Sequence, residues 1–480
     1  MTQLLNKKKL IRDISASTLQ TLFTQLFGLG IFYFTSRYLT KNDFGEFNWA
    51  MAVGATVIAI ASLGLDLVFV KRVAAGSDVV TISGIHFFHT LLSAMVLGIG
   101  TVLLQVFLPA FANAHPLYLY VFLGLAVANM GNSFKLCLNG LEAYKLLAWL
   151  SLAANGLKFA GILALFVMNR FAVFEVVMVY AGTSCVEFLL AYALLRSRLN
   201  HAVKPLLRVT EYKYFILESL PQLGVVLFDS ALARIDWILL GVMSTAVITA
   251  EYSFAYKLFE LAKLPLLILS PILLTRFSKM FATRNTIGQE QAQQLQFFFR
   301  FELALMMFIP IVLVCVWTPL MDFVTSGKYG AVNEKTFWIL ALCIPMHAII
   351  NFLWTLAFVQ NHLKKLMVIT ITSSLLNVVG NLVLIPLFGG LGAAWAFLAS
   401  TLVQLGMYVG MIRYPDFKLH YGMVILAFFN AALSVIISKL LFENSVLCAF
   451  SAVLIYVILA RLNKQIDLKS IRLFFSGTSN

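Results

Sequence analysis

The sequence predicts an all-α polytopic membrane protein of about 14 transmembrane helices, arranged as two pseudo-symmetric six-helix halves plus two C-terminal helices. Three observations lead there. Of the 480 residues, 61% are hydrophobic and 12% charged, whereas a soluble domain carries roughly 45–50% apolar and about 25% charged residues. The apolar residues fall in runs of the ~20 residues that cross a bilayer as a helix. Lys and Arg then crowd into every second gap between runs.

The runs come in order as follows. The first, 15–38, follows the basic start MTQLLNKKKLIRD; it is long enough to span and lacks a cleavage-type end, so it reads as a retained helix. The second, 47–70, opens on FGEFNWA and closes on Lys71 and Arg72. Its Asp66 is expected to pair with Lys71. The third, 86–110, starts with His86 and His89, which read as structural. The fourth to sixth are 117–138, 146–168 and 172–195, and the longest basic gap, 196–213, follows. Runs 214–240, 250–275, 298–324 and 336–359 come next, the last holding a lone His347. Runs 366–388 and 391–412 are joined by a turn of Gly389, Gly390 and Gly392, and 421–441 and 445–461 end the series. The expected division is 1–200, 201–412 and an additional pair with its tail at 413–480.

The gaps orient the chain. Taking alternate gaps with the N-terminal tail, 25 Lys and Arg fall on one side and five on the other. The positive-inside rule places both termini in the cytoplasm. The formal charge of +14 is therefore topological and calls for no nucleic acid. Cys137, Cys185, Cys315, Cys343 and Cys448 lie in apolar runs without metal-ligand or CxxC spacing, and read as small apolar filler. No cofactor or metal is expected. There is no Walker motif, since no Lys-Ser/Thr follows the Gly389–Gly392 turn. The longest outer gap, about 325–335, carries no acid/base or Arg cluster, so an enzyme is not expected.

The halves echo one another. FGEFNWA (44–50) and TAEYSFA (249–255) open the second run of each half, and Gly45/Ala250, Glu46/Glu251, Phe47/Tyr252 and Ala50/Ala255 align at a constant offset of 205. Parallel six-span repeats are a common transporter architecture, with the substrate site between the halves.

Polar residues inside the runs are the candidate functional groups, because each costs several kcal/mol in hydrocarbon, roughly 3 to over 10 for a charge at the centre. Lys158 lies mid-run in SLAANGLKFAGILALFVM, with Asn155 one turn earlier and no acid on the same helix. At 100° per residue, Glu218, Gln222, Asp229 and Asp236 fall within roughly 40° of one another, and Arg234 lies on nearly the opposite face. That stripe is either a buried structural network or a cation or proton site on Asp229 or Asp236, with Glu218 a further candidate. Lys257, Glu260 and Lys263 share an arc of roughly 120° in which Glu260 can neutralise either lysine. Thr370, Ser373, Ser374, Asn377 and Asn381 line one side of a helix, and Gly392, Ala396 and Ser400 form a small-residue seam. These polar groups read first as interhelical glue, with Asn377 and Asn381 kept as cavity candidates, because matching Gly161 to Gly380 sets Lys158 opposite Asn377.

LTKNDFGEFNWAMAV, GLDLVFVKRVAA, RIDWILLG with AEYSFAYKL, and LNVVGNLVLIPLFGGLGAAWAFLAS resemble the Wzx-type polysaccharide flippases. That family lies in the MOP superfamily with lipid II flippases and multidrug and toxin extrusion transporters. The resemblance covers nearly the whole chain, and residues 376–400 are its most specific part. It implies alternating access and movement of an undecaprenyl-diphosphate-linked oligosaccharide to the outer leaflet of a bacterial inner membrane, for O-antigen, capsule or exopolysaccharide. Membrane lipids and polysaccharide polymerase or chain-length machinery follow as partners. Many relatives have twelve spans; fourteen resembles the lipid II flippases. For such a cargo Lys158, Lys257 and Lys263 would offer charge to the diphosphate; the rival role for Lys158 is an ion pair with Asp229 or Asp236. The alternative function is a cation-coupled multidrug exporter, which the mixed deep charges favour less.

Overall fold

The computed structural model describes residues 7–76, 78–281, 289–412 and 421–463; within some helices the side chains of a few residues, all of 7–20 among them, are not described. Among the described residues there are sixteen helices and no strand. This is what a bilayer demands, since every backbone polar group must be satisfied within its own segment. Ten of the helices are long and apolar enough to cross a membrane by length and composition. The chain divides into two compact units, Met1–Ala250 and Glu251–Asn480.

The first unit holds α1 (Lys7–Tyr38), α2 (Lys41–Ala61), α3 (Leu65–Ala74), α4 (Val79–Phe107), α5 (Pro109–Ala114), α6 (Tyr118–Gly140), α7 (Tyr144–Val167), α8 (Val173–Leu199) and α9 (Val209–Met243). The second predicted span is thus two helices. Leu63 and Gly64 take positive φ (51° and 72°) between them, and a Cβ on Gly64 would stand 2.7–2.8 Å from Leu223 N and Gln222 Cβ of α9. Only glycine permits both the backbone and that approach. α9 packs on α2 and α3, and the first compact unit includes it, ending at Ala250.

Packing relies on small residues, as expected where helices gain no hydrophobic drive from leaving lipid. Gly124 and Gly131 of α6 meet the Cα atoms of Ala181 and Phe188 of α8, each 3.2 Å from the position of an added Cβ. Phe34 and Tyr38 of α1 lie against Phe166 of α7, with ring centroids 5.2 and 4.7 Å apart. A buried core of Leu65, Phe69, Phe134, Leu138, Leu195 and Phe215 joins α3, α6, α8 and α9.

The second unit contains α10 (Ala246–Ala262, from Glu251 on), α11 (Leu264–Phe281), α12 (Gln289–Thr325), α13 (Gly330–Val359), α14 (Leu363–Met411), α15 (Tyr421–Leu441) and α16 (Ser445–Leu462). The eighth predicted span is α10 and α11, parted by a turn at Lys263 ahead of Pro265; proline offers no N–H to continue the ladder. Spans eleven and twelve form one continuous element, α14, folded sharply at Gly389 (φ 57°, ψ −132°). α13 is the core helix, packing on α11, α12 and α14, while α15 and α16 pack on each other and on α12. The C-terminal pair therefore belongs to the body of this unit. Among the described residues, these ten helices, a second crossing by α14, the α10–α11 pair, α1 and α9 together account for fourteen crossings.

Candidate functional site

Lys158 stands half-buried on α7. Its ammonium lies 4.8 Å from the ring centroid of Tyr180 on α8, a cation–π contact. It makes no ion pair among the described residues. Its nearest charges are Glu187 and Lys135, and these two pair with each other across α6 and α8 (Lys135 Nζ to Glu187 Oε1, 2.9 Å). Lys135, assigned from sequence to a basic gap, is thus inside α6 and spoken for. Asn155 Nδ2 donates to the Ser151 carbonyl of its own helix (2.8 Å) and approaches Thr24 of α1 (3.5 Å).

The polar stripe of α9 is dispersed. Glu218 accepts from Arg72 Nε of α3 (2.9 Å) and has Lys71 Nζ at 3.6 Å. Asp236 is buried, 1% exposed, and accepts from the Trp237 backbone N–H (3.1 Å). Arg234 is half-buried. The side chain of Asp229 lies outside the described residues. Asp66 does not pair with Lys71 as expected; its Oδ1 is 3.2 Å from His86 Nε2. Five residues on a helix separate two side chains by roughly 140°, so Asp66 faces α4 while Lys71 faces α9. His86 Nδ1 reaches Ser133 Oγ of α6 (2.9 Å), and His89 Nδ1 meets the Tyr212 hydroxyl of α9 (2.9 Å).

In the second unit Lys257 Nζ donates to Glu260 Oε2 (2.8 Å). Lys263, at the α10–α11 turn, lies 4.1 Å from the Phe259 ring centroid. Asn377 and Asn381 are fully buried. Asn377 Nδ2 reaches Ser400 Oγ (3.3 Å), and Asn381 Nδ2 donates to the Asn377 carbonyl (2.9 Å). Asn377 binds the two arms of α14 together, and Asn381 holds Asn377 within its own arm. Sequence reasoning missed Glu302 of α12, which is 2% exposed and accepts from Asn351 Nδ2 of α13 (2.8 Å). The signal was an acid just inside the ninth apolar run, beside Arg300, where it passes for a solvated helix start.

Helices that cross a membrane many times and hold lysines, an arginine and carboxylates inside their spans define a class, the polytopic membrane proteins with ionisable groups kept within the bilayer. Residues 10–277 match the model of the polysaccharide biosynthesis protein family, and the chain belongs to that family. No curated protein matches the chain by sequence. Among solved structures, a lipid II flippase, MurJ, in its inward closed conformation superposes with TM-score 0.74 at 13% identity, covering 93% of this chain and 98% of that one. An inward-facing multidrug resistance MATE family transporter of the MOP superfamily gives TM-score 0.63 at 13% identity, covering 83% and 98%. The Vibrio cholerae MATE transporter VcmN in its bent form gives 0.54 at 13% identity, covering 86% and 99%. The fold is the one these solved structures share, and the chain is a multi-pass helical membrane protein.

Proposed function

We propose that this protein flips undecaprenyl-diphosphate-linked oligosaccharide units from the cytoplasmic to the outer leaflet of the bacterial inner membrane, by alternating access, with both termini cytoplasmic. Lys158 carries the reading. It is an ammonium kept inside a membrane-crossing helix with an aromatic ring as its contact and, among the described residues, no carboxylate paired to it. Such a charge costs between roughly 3 and over 10 kcal/mol in hydrocarbon, and an anionic cargo is the ligand that offsets it. A diphosphate meets the same desolvation barrier. A fixed cation on its path, Lys158, replaces part of the hydration it loses. Membership in a polysaccharide biosynthesis family supplies the glycan. Asn377 and Asn381 serve structure in this account, and Glu218 is neutralised by Arg72.

The test is the cargo left behind. Lipids from cells lacking the protein, complemented with wild type, Lys158→Ala or Lys158→Arg, are compared by mass spectrometry for undecaprenyl-diphosphate oligosaccharide. Accumulation in the deletion and with Lys158→Ala, at wild-type protein level and with Lys158→Arg partly relieved, is the expected result. No accumulation in the deletion removes the glycan reading and leaves multidrug export as its successor.

A further inference from the structure

Glu302 is a carboxylate in the interior of a membrane protein with no basic partner among the described residues. It is 2% exposed, and its Oε2 is buried without a hydrogen-bond partner. A buried carboxylate in that position holds a proton or gives one up at a price in desolvation. Among the described residues its hydrogen-bond partner is Asn351, whose Nδ2 donates to Glu302 Oε1 (2.8 Å). Behind Asn351, the Ser270 hydroxyl of α11 lies 2.8 Å from Asn351 Oδ1 and 2.6 Å from the Leu266 carbonyl. A serine has one proton and two acceptors in reach, so it donates to one of them at a time.

The chain therefore has two complete hydrogen-bond patterns. With Glu302 ionised, Asn351 Nδ2 donates to the carboxylate and Ser270 donates to Asn351 Oδ1. With Glu302 neutral, the Asn351 amide turns over. The carboxyl O–H then donates to Oδ1, Nδ2 donates to Ser270 Oγ, and Ser270 donates to the Leu266 carbonyl. Every side-chain nitrogen and oxygen of the three residues but one carboxyl oxygen has a partner in both, and the proton comes from and returns to water. We propose that Glu302, Asn351 and Ser270 form a proton-binding site, in which gain or loss of a proton at Glu302 reverses the hydrogen-bond chain running from α12 through α13 to α11. The chain ends at Leu266, whose own N–H donates to the Lys263 carbonyl at the α10–α11 turn (2.9 Å). Protonation is read out at a break in a span.

The other charged and titratable groups around the site are accounted for. α12 packs against α11, α13, α15 and α16. On α13, His347 stands one turn from Asn351 with Nδ1 on the Cys343 carbonyl (2.8 Å), and Glu334 meets Lys439 of α15 (3.7 Å). α16 brings Cys448 and Tyr456, both buried, and Arg461, exposed. On α12, Arg300 is half-buried and Cys315 buried. The side chains of Arg276 and Lys279 on α11 lie outside the described residues.

The site stands without reference to cargo; its use as the coupling step rests on the transport reading above. Infrared difference spectra of the full-length protein in liposomes, taken across a pH titration, read it directly. Wild type minus Glu302→Gln is expected to contain one protonated-carboxyl band that titrates. Ser270→Ala and Asn351→Ala are expected to keep that band and move its midpoint. Superimposable wild-type and Glu302→Gln spectra overturn the proposal, and so does a midpoint untouched by both relay variants. Should no lipid-linked glycan accumulate in the deletion while the Glu302 band titrates, the cargo reading falls and the proton site stands.

Discussion

Single side chains in this membrane separate stability from function. Lys158 forms no ion pair among the described residues, so its removal relieves a desolvation cost. Lys158→Met is expected to raise the melting temperature of the purified protein while lowering glycan flipping at least about tenfold, or ~1.4 kcal/mol. A fall in both would make the lysine a structural residue. Lys135 and Glu187 behave oppositely. Each is mostly withdrawn from solvent, with side chains 26% and 19% exposed, and loss of one partner strands the other. Lys135→Ala should cost about 3 kcal/mol, most of it recovered in the double variant with Glu187→Ala. Arg72 and Glu218, with side chains 29% and 36% exposed, should give no more than about 1 kcal/mol by the same cycle in thermal unfolding. The depth of Lys158 was legible in the sequence, because hydropathy measures distance from a span's ends. Its aromatic contact was not, since Tyr180 lies on another helix and only packing brings it there. Glu302 escaped because α12 begins at Gln289, so a residue near the start of the apolar run is well inside the helix.

At the scale of elements, glycine decides where helices stop being straight. Gly389 has a backbone conformation that side chains resist, and a Cβ on Gly392 would run into the Leu384 carbonyl across the fold of α14. Gly389→Ala should cost about 1–3 kcal/mol through backbone strain, and Gly392→Ala about as much through overpacking. Each would be read as a lower midpoint in thermal unfolding, and an unchanged midpoint for both would mean the arms of α14 are held by Asn377, Ser400 and Asn381 alone. The glycine turn and both its arms were visible in the sequence. The breaks at Leu63–Gly64 and Lys263 were not. Hydropathy is continuous across them, and their cause is a neighbour, α9 in one case, or a proline one residue beyond the turn in the other. α1 and α9 also begin before their apolar runs, at Lys7 and Val209, because a helix ends where its hydrogen bonds do and not where the hydrocarbon does.

For the whole molecule, alternation of basic gaps sets a topology that labelling can check. In a cysteine-free background, single cysteines replacing His201 or Asn361 should react with a membrane-impermeant maleimide only after the cytoplasmic face is opened. Cysteines replacing Asn169 or Phe442 should react in intact spheroplasts. The positions sit at helix ends, and Asn169, Asn200 and Asn361 take the left-handed conformation there that asparagine tolerates. Any reversal within one unit would overturn the orientation drawn from 25 basic residues against five. The overall span count was readable because it depends on composition alone. The contacts of α9 with α2 and α3 were not, because they depend on packing between helices far apart in sequence.

The Lys135–Glu187 pair also sets a timetable for birth of the chain. The partners are 52 residues apart, and synthesis proceeds at about 5–20 residues per second. For roughly 3–10 s the helix bearing Lys135 has been made and the helix bearing its counter-charge has not. During that interval α6 carries Lys135 without its counter-charge, and the pair closes only once α8 has been made.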